Sequence, residues 1–124
     1  MNKIKISPLN HTWILDFDGT IVKHNGYKID GKDSFLDSAL DFLNSIPVDD
    51  MVIFLTSRTL EFKEITENFL AENNIRYNQI IYNAPYGERI LINDRKPSGL
   101  EMAIAVNTQR DVFGVPVFEV DEEI

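Results

Sequence analysis

The sequence predicts an α/β fold, a mainly parallel sheet flanked by helices, on three observations. Near-continuous apolar runs of strand length, "HTWILDF", "MVIFLTS" and "RILIND", recur along the chain. Amphipathic stretches with helical spacing lie between the first runs. Each run ends in polar or charged residues, as strands buried on both faces do where they emerge at a sheet rim.

The elements follow in order. "HTWILDF" is a strand whose aromatic and β-branched residues run towards the breaker Gly19. "VKHNGYKIDGKD" carries Asn25-Gly26 and Asp30-Gly31, two turn signals, and reads as a loop or short hairpin. "DSFLDSALDFLNSI" reads as a helix capped by Asp33 or Ser34, with Phe35, Leu36, Leu40 and Leu43 near one face and Pro47 as its stop. "MVIFLTS" is the second strand. "LEFKEITENFLAENN" is the second helix, with Phe62, Ile65, Phe69 and Leu70 at helical spacing and Asn73-Asn74 at its end. "QIIYNA" and "RILIND" are short strands. Beyond Pro97 and Gly99, "EMAIAVNT" is a strand or a short helix, and "PVFEV" adds an edge strand. The longer "FGVPVFEV" could instead pair with another chain. Trp13, Phe54, Phe62 and Phe69 belong to the core, and Asp121-Glu122-Glu123 reads as a solvated tail.

A chain of 124 residues suits one domain, taken as 1–124. It has no cysteine, which excludes disulfides and thiolate metal sites. The opening "MNKIKISPLN" lacks the apolar core of a signal peptide, and no apolar run approaches the ~18 residues of a membrane span. A cytoplasmic protein with no membrane partner is the expectation. A net charge of −8 argues against binding the nucleic-acid backbone. It also means that an anionic small substrate needs local positive charge, most simply a divalent cation.

Ligands of open parallel α/β sheets sit outside the carboxyl ends of the strands. Asp16 and Asp18 lie there on the first strand, Thr56, Ser57 and Arg58 on the second, and Asp94 ends "RILIND", with Lys96 two residues beyond it. Alternation in an extended chain sends Asp16 and Asp18 to one side, where two carboxylates repel unless a cation or shared proton intervenes. Asp16, Asp18 and Asp94 together make an oxygen-rich set that prefers Mg²⁺ to zinc. Such a set supports phosphoryl transfer: one carboxylate attacks phosphorus, and another protonates the leaving oxygen and then activates water. A hydroxyl and a cationic side chain would hold the charge on the transferring group.

The run Asp16-Phe17-Asp18-Gly19-Thr20 resembles motif I (D-x-D-G-T) of the haloacid dehalogenase (HAD) superfamily. "VIFLTSR", with Thr56, resembles motif II, and "ILIND", ending in Asp94, resembles the acidic strand end of motif IV. The resemblance implies a single Rossmann-like domain without a cap, and a Mg²⁺-dependent phosphatase. It makes Asp16 the nucleophile and a metal ligand, and Asp18 the general acid/base with its carbonyl on the metal. It makes Thr56 a phosphate ligand, with Ser57 beside it, and Asp94 a metal ligand. The motif III lysine is missing between Ile75 and Asp94, where the only basic residues are Arg76 and Arg89. Lys96 is its candidate replacement, with Arg58 as support. "INDRKPSG" is similar to small HAD proteins of capsule or lipopolysaccharide sugar metabolism. A small sugar phosphate is therefore the expected substrate, and a homo-oligomer is one way to cover a cap-less site.

Other readings stand beside this one. Thr56 and Ser57 would also cap a helix, which is compatible with binding an anion. His11 and His24 read as surface residues, although His24, Tyr27 and Lys28 lie in the loop where selectivity would arise. A HAD-like metal- and phosphate-binding regulatory module with negligible turnover is the alternative function. A phospho-accepting receiver domain is disfavoured, because "MVIFLTS" ends without an acid.

Overall fold

The computed structural model describes residues 3–114 and 116–124; Met1, Asn2 and Val115 of "FGVPVFEV" lie outside the described residues. The protein is α/β, built on parallel sheets flanked by helices. It divides into two compact units, one of Asn10–Pro85 with Thr108–Val115, the other of Met1–Leu9, Tyr86–Asn107 and Pro116–Ile124.

In the larger unit, β2 (Thr12–Asp16), β3 (Met51–Leu55) and β4 (Gln79–Ile81) form a parallel sheet in the order β2-β3-β4. Trp13 pairs with Val52, Leu15 with Phe54 and Asp16 with Leu55, so the polar residues after β2 and β3 emerge side by side. Parallel strands need crossovers, and α3 (Lys63–Glu72) connects β3 to β4. It is preceded by a 3₁₀ turn, Leu60–Phe62, and Leu70 is its most deeply buried residue. Asn73 and the left-handed Asn74 (φ 55°) end it.

The core of this unit gathers Phe17, Ile21, Val22, Ala39, Leu43, Val52, Phe54, Leu70, Ile75 and Phe113. Phe17 meets Phe54 edge-on at 5.5 Å. Phe62 and Phe69, like Trp13, are half-buried rather than fully enclosed. Trp13 sits edge-on to Phe42 at 5.7 Å and donates its indole N–H to the buried Asp50 carboxylate at 2.9 Å.

The connection from β2 to β3 departs from expectation. Its helix, α2, spans only Ala39–Ser45, and neither Asp33 nor Ser34 caps it. Residues 34–36 instead run antiparallel to the loop after β2: Lys23 donates to the Ser34 carbonyl at 3.0 Å and Leu36 to the Ile21 carbonyl at 2.9 Å. Backbone groups used this way cannot enter a helix, and Asp33 is drawn into an ion pair described below. The expected hairpin is present in that pairing, and its tip is a one-turn helix, α1 (Gly26–Ile29).

In the smaller unit, β1 (Lys3–Ile6) pairs in parallel with β5 (Val117–Val120), which is the expected "PVFEV" strand. Asp121 of the acidic tail is partly tied down, its N–H bonded to the Ile6 carbonyl at 2.8 Å. The expected strands "RILIND" and "EMAIAVNT" are not formed: residues 88–96 and 101–108 hold neither helix nor strand. Strand propensity needs a neighbouring ladder to act on, and none is present for this segment among the described residues. Ile90 and Ile92 are 82% and 90% exposed.

Candidate functional site

The carboxyl end of β2 is shaped by one carbonyl. The Phe17 oxygen accepts from Ile21 at 3.0 Å, Val22 at 3.2 Å and Thr20 at 3.4 Å, which curls the chain into a tight loop directly after the strand. Gly19 sits in that loop at φ +80°, where a side chain would be strained. Burial of Phe17 locks the loop to the core and leaves Asp16 and Asp18 on either side of it at the strand end. Thr20 closes back on Asp16, its hydroxyl donating to Oδ2 at 2.9 Å.

Asp18 reaches to β3. Its Oδ2 accepts the Thr56 hydroxyl at 2.8 Å, and its Oδ1 accepts Arg58 Nη2 at 2.8 Å and Nε at 3.1 Å. Thr56 is itself buried, and its hydroxyl oxygen accepts the Arg58 N–H at 3.1 Å. The first two clusters singled out in the sequence, Asp16-Asp18 and Thr56-Arg58, are thus brought together at one strand rim. Ser57, between Thr56 and Arg58, is half-buried.

Arg58 differs from the expected open phosphate ligand. Its side chain is 1% exposed, and it holds a second carboxylate, Asp33, in a fork: Nη1 to Oδ2 at 3.0 Å and Nη2 to Oδ1 at 2.6 Å. Nη1 also donates to Thr66 Oγ1 at 2.8 Å. The guanidinium lies over the Tyr27 ring, 3.8 Å from its centroid, and 5.0 Å from that of Phe17. Burial alone would lower the Arg58 pKa, but hydrogen bonds to Asp33 and Asp18, and their charges, outweigh it and raise the pKa above its ordinary value. Its donors are committed within the protein, so it orients Asp18 rather than receiving an anion.

Asp33 is the residue that sequence reasoning missed at this site. It lies 25 positions before Arg58 and reads naturally as a helix cap. The turn signals flanking it were visible, but a buried acid paired with a distant arginine leaves no local pattern.

A second missed contributor is the turn 109–112, closed by a Gln109–Val112 bridge and anchored by Phe113 in the core. Asp111 donates its N–H to the Gly19 carbonyl at 2.8 Å and accepts the His24 N–H on Oδ1 at 2.7 Å. A Cβ built on Gly19 would lie 3.3 Å from Arg110 Cγ and 3.6 Å from His24 Cβ. The turn is therefore clamped directly onto the loop that carries Asp18.

Asp94 and Lys96 belong to the smaller unit, on exposed irregular chain. Asn93 Nδ2 bonds the Asp94 carbonyl at 3.1 Å, and the Lys96 N–H bonds the Leu100 carbonyl at 3.0 Å. Among the described residues no group of three or more His, Cys, Asp or Glu is arranged to hold a metal ion. The Asp18 carboxylate is engaged by Thr56 and Arg58. The Asp16 carboxylate, which accepts the Thr20 hydroxyl, and the backbone carbonyls of the β2 end are hard oxygen donors of the kind that suits Mg²⁺ when water fills its other positions.

No family model and no curated protein matches the sequence. Two solved structures are similar to it. One is a chain of the Pnkp1/Rnl/Hen1 complex, 25% identical with a TM-score of 0.52, covering 68% of this chain and 32% of that one. The other is a chain of the Pnkp1/Rnl/Hen1 RNA repair complex, 24% identical with a TM-score of 0.52, covering 72% of this chain and 30% of that one. This chain thus spans about a third of the length of the chains it resembles. No helix among the described residues is long and apolar enough to cross a membrane.

Proposed function

We propose that the protein is a HAD-type phosphomonoester hydrolase that works through an aspartyl-phosphate on Asp16. One observation carries this reading. Two aspartates one residue apart flank the buried Phe17 at the end of a parallel strand, one braced by Thr20 and the other by Thr56 and Arg58. A solvated turn would not need a buried arginine and threonine from the neighbouring strand to aim its acid.

In this mechanism an Asp16 carboxylate oxygen attacks phosphorus, and the ester P–O bond breaks. With Asp18 entering the cycle protonated, the leaving oxygen takes its proton, and the carboxylate so formed, held by Thr56 and Arg58, removes a proton from the water that cleaves the Asp16–phosphorus ester. Inorganic phosphate leaves, and both aspartates return to their starting state. Thr20 holds the Asp16 side chain for the attack, while Thr56 and Arg58 hold Asp18 for proton transfer. Asp16 and the Asp18 carbonyl would hold Mg²⁺, which offsets negative charge on the transferring phosphoryl group.

The substrate remains a small phosphomonoester in a cytoplasmic setting, a sugar phosphate by the resemblance of "INDRKPSG". The likeness to a chain of the Pnkp1/Rnl/Hen1 RNA repair complex adds phosphorylated RNA ends to the compounds to be tested. Hydrolysis of an aryl phosphate, followed by a screen of sugar phosphates and RNA ends, tests the reading; a chain that turns over none of them contradicts it.

The alternative, a phosphate- and metal-binding regulatory module, is favoured by Asp94 and Lys96 standing on exposed irregular chain. Phosphate binding without turnover of any of these compounds would select it.

A further inference from the structure

We propose that Arg110 supplies the positive charge that meets the substrate's phosphate, the part left open when Arg58 is consumed inside the protein. The inference rests on reading the Asp16 end of β2 as a phosphate site.

An anion approaching Asp16 and Asp18 in a chain of net charge −8 needs a nearby cation. Within the larger unit Arg58 is excluded by burial and by its two carboxylate partners. Lys23 is paired with Asp30 at 2.9 Å, and Lys28 lies against the Tyr27 and Phe62 rings. Arg76 is engaged with the Asp50 and Pro47 carbonyls. Arg110, like Lys32 and Lys63, is exposed and makes no ion pair or side-chain hydrogen bond among the described residues, but it is the one of the three whose side chain packs at Gly19, the residue after Asp18.

Its placement is built rather than incidental. The turn that carries it is fixed at three points: Asp111 N–H on the Gly19 carbonyl, Asp111 Oδ1 on the His24 N–H, and Phe113 in the core. The acid beside it makes no bond to Arg110 among the described residues and spends its Oδ1 on the His24 N–H. Gly19 lets the Arg110 stem pack onto the motif loop, because a Cβ there would crowd Cγ at 3.3 Å. The strained conformation and the close approach coincide at the residue that follows Asp18. A guanidinium presented there offers a planar pair of donors, which matches two phosphate oxygens.

The test is binding of inorganic phosphate by titration calorimetry to the full chain and to Arg110→Gln and Arg110→Lys, with aryl-phosphate hydrolysis measured in parallel. Arg110→Gln should weaken phosphate binding and kcat/KM by roughly tenfold or more, the scale of one charge-assisted contact. Arg110→Lys should recover part of both. Phosphate affinity unchanged in Arg110→Gln, or no phosphate binding by the parent chain, would overturn the inference. Hydrolysis that persists undiminished in Arg110→Gln overturns it while leaving the phosphatase reading intact. Arg110-dependent phosphate binding without any turnover does the reverse.

Discussion

Arg58 carries one positive charge between two carboxylates, one of them fully buried, and this governs what single substitutions do. Removing the guanidinium in Arg58→Met would strand the Asp33 carboxylate inside the protein. A loss of about 3–5 kcal/mol is expected, read as a lowered denaturation midpoint. Asp33→Asn is milder for folding, because Arg58 keeps Asp18 as its counter-charge. It frees the guanidinium from its fork, however, so Asp18 loses its aim. A fall in kcat of roughly tenfold with little change in KM is expected. In the double variant with Arg58→Gln the losses should fail to add, since both act on Asp18 through one contact. Gly19→Ala tests the loop itself: with φ at +80°, alanine should destabilise by about 1–3 kcal/mol. At this scale the sequence was half legible. Asp16, Asp18 and Thr56 announced themselves at strand ends, whereas Asp33 and Arg110 act through contacts that no local spacing encodes.

Strands and helices repeat that division. β2, β3, β4 and α3 were readable because their periodicity is local and their apolar faces meet within one unit. The start of α2 was not, since the backbone of residues 34–36 is bonded to the loop after β2. Nor was the pairing of β1 with β5, which joins residues more than a hundred positions apart. "RILIND" carried strand propensity without a ladder to express it. The link from α3 to the segment after β4 also yields a pH prediction. Tyr82 donates its hydroxyl to Glu67 at 2.9 Å, and burial first, then that hydrogen bond and the Glu67 charge, push its pKa well above the ordinary tyrosine value. The folded state therefore holds the phenolic proton more tightly than the unfolded chain. The stability this contributes is complete below about pH 10 and is lost as pH rises towards the folded-state value. Tyr82→Phe should flatten the alkaline loss seen in denaturant unfolding; an unchanged profile would assign that loss to other groups.

For the whole molecule, the parallel β2-β3 register delivers two carboxylates and their partners to one rim, and the buried Arg58 ties Asp18 into it. The fold class was plain from the alternation of apolar runs and helices. Attack of Asp16 on phosphorus is checked by hydrolysis of an aryl phosphate with and without Mg²⁺, with Asp16→Asn alongside. Metal-dependent release of phosphate is expected, vanishing in Asp16→Asn while the variant's unfolding curve stays that of the parent. Equal turnover by parent and variant would contradict it.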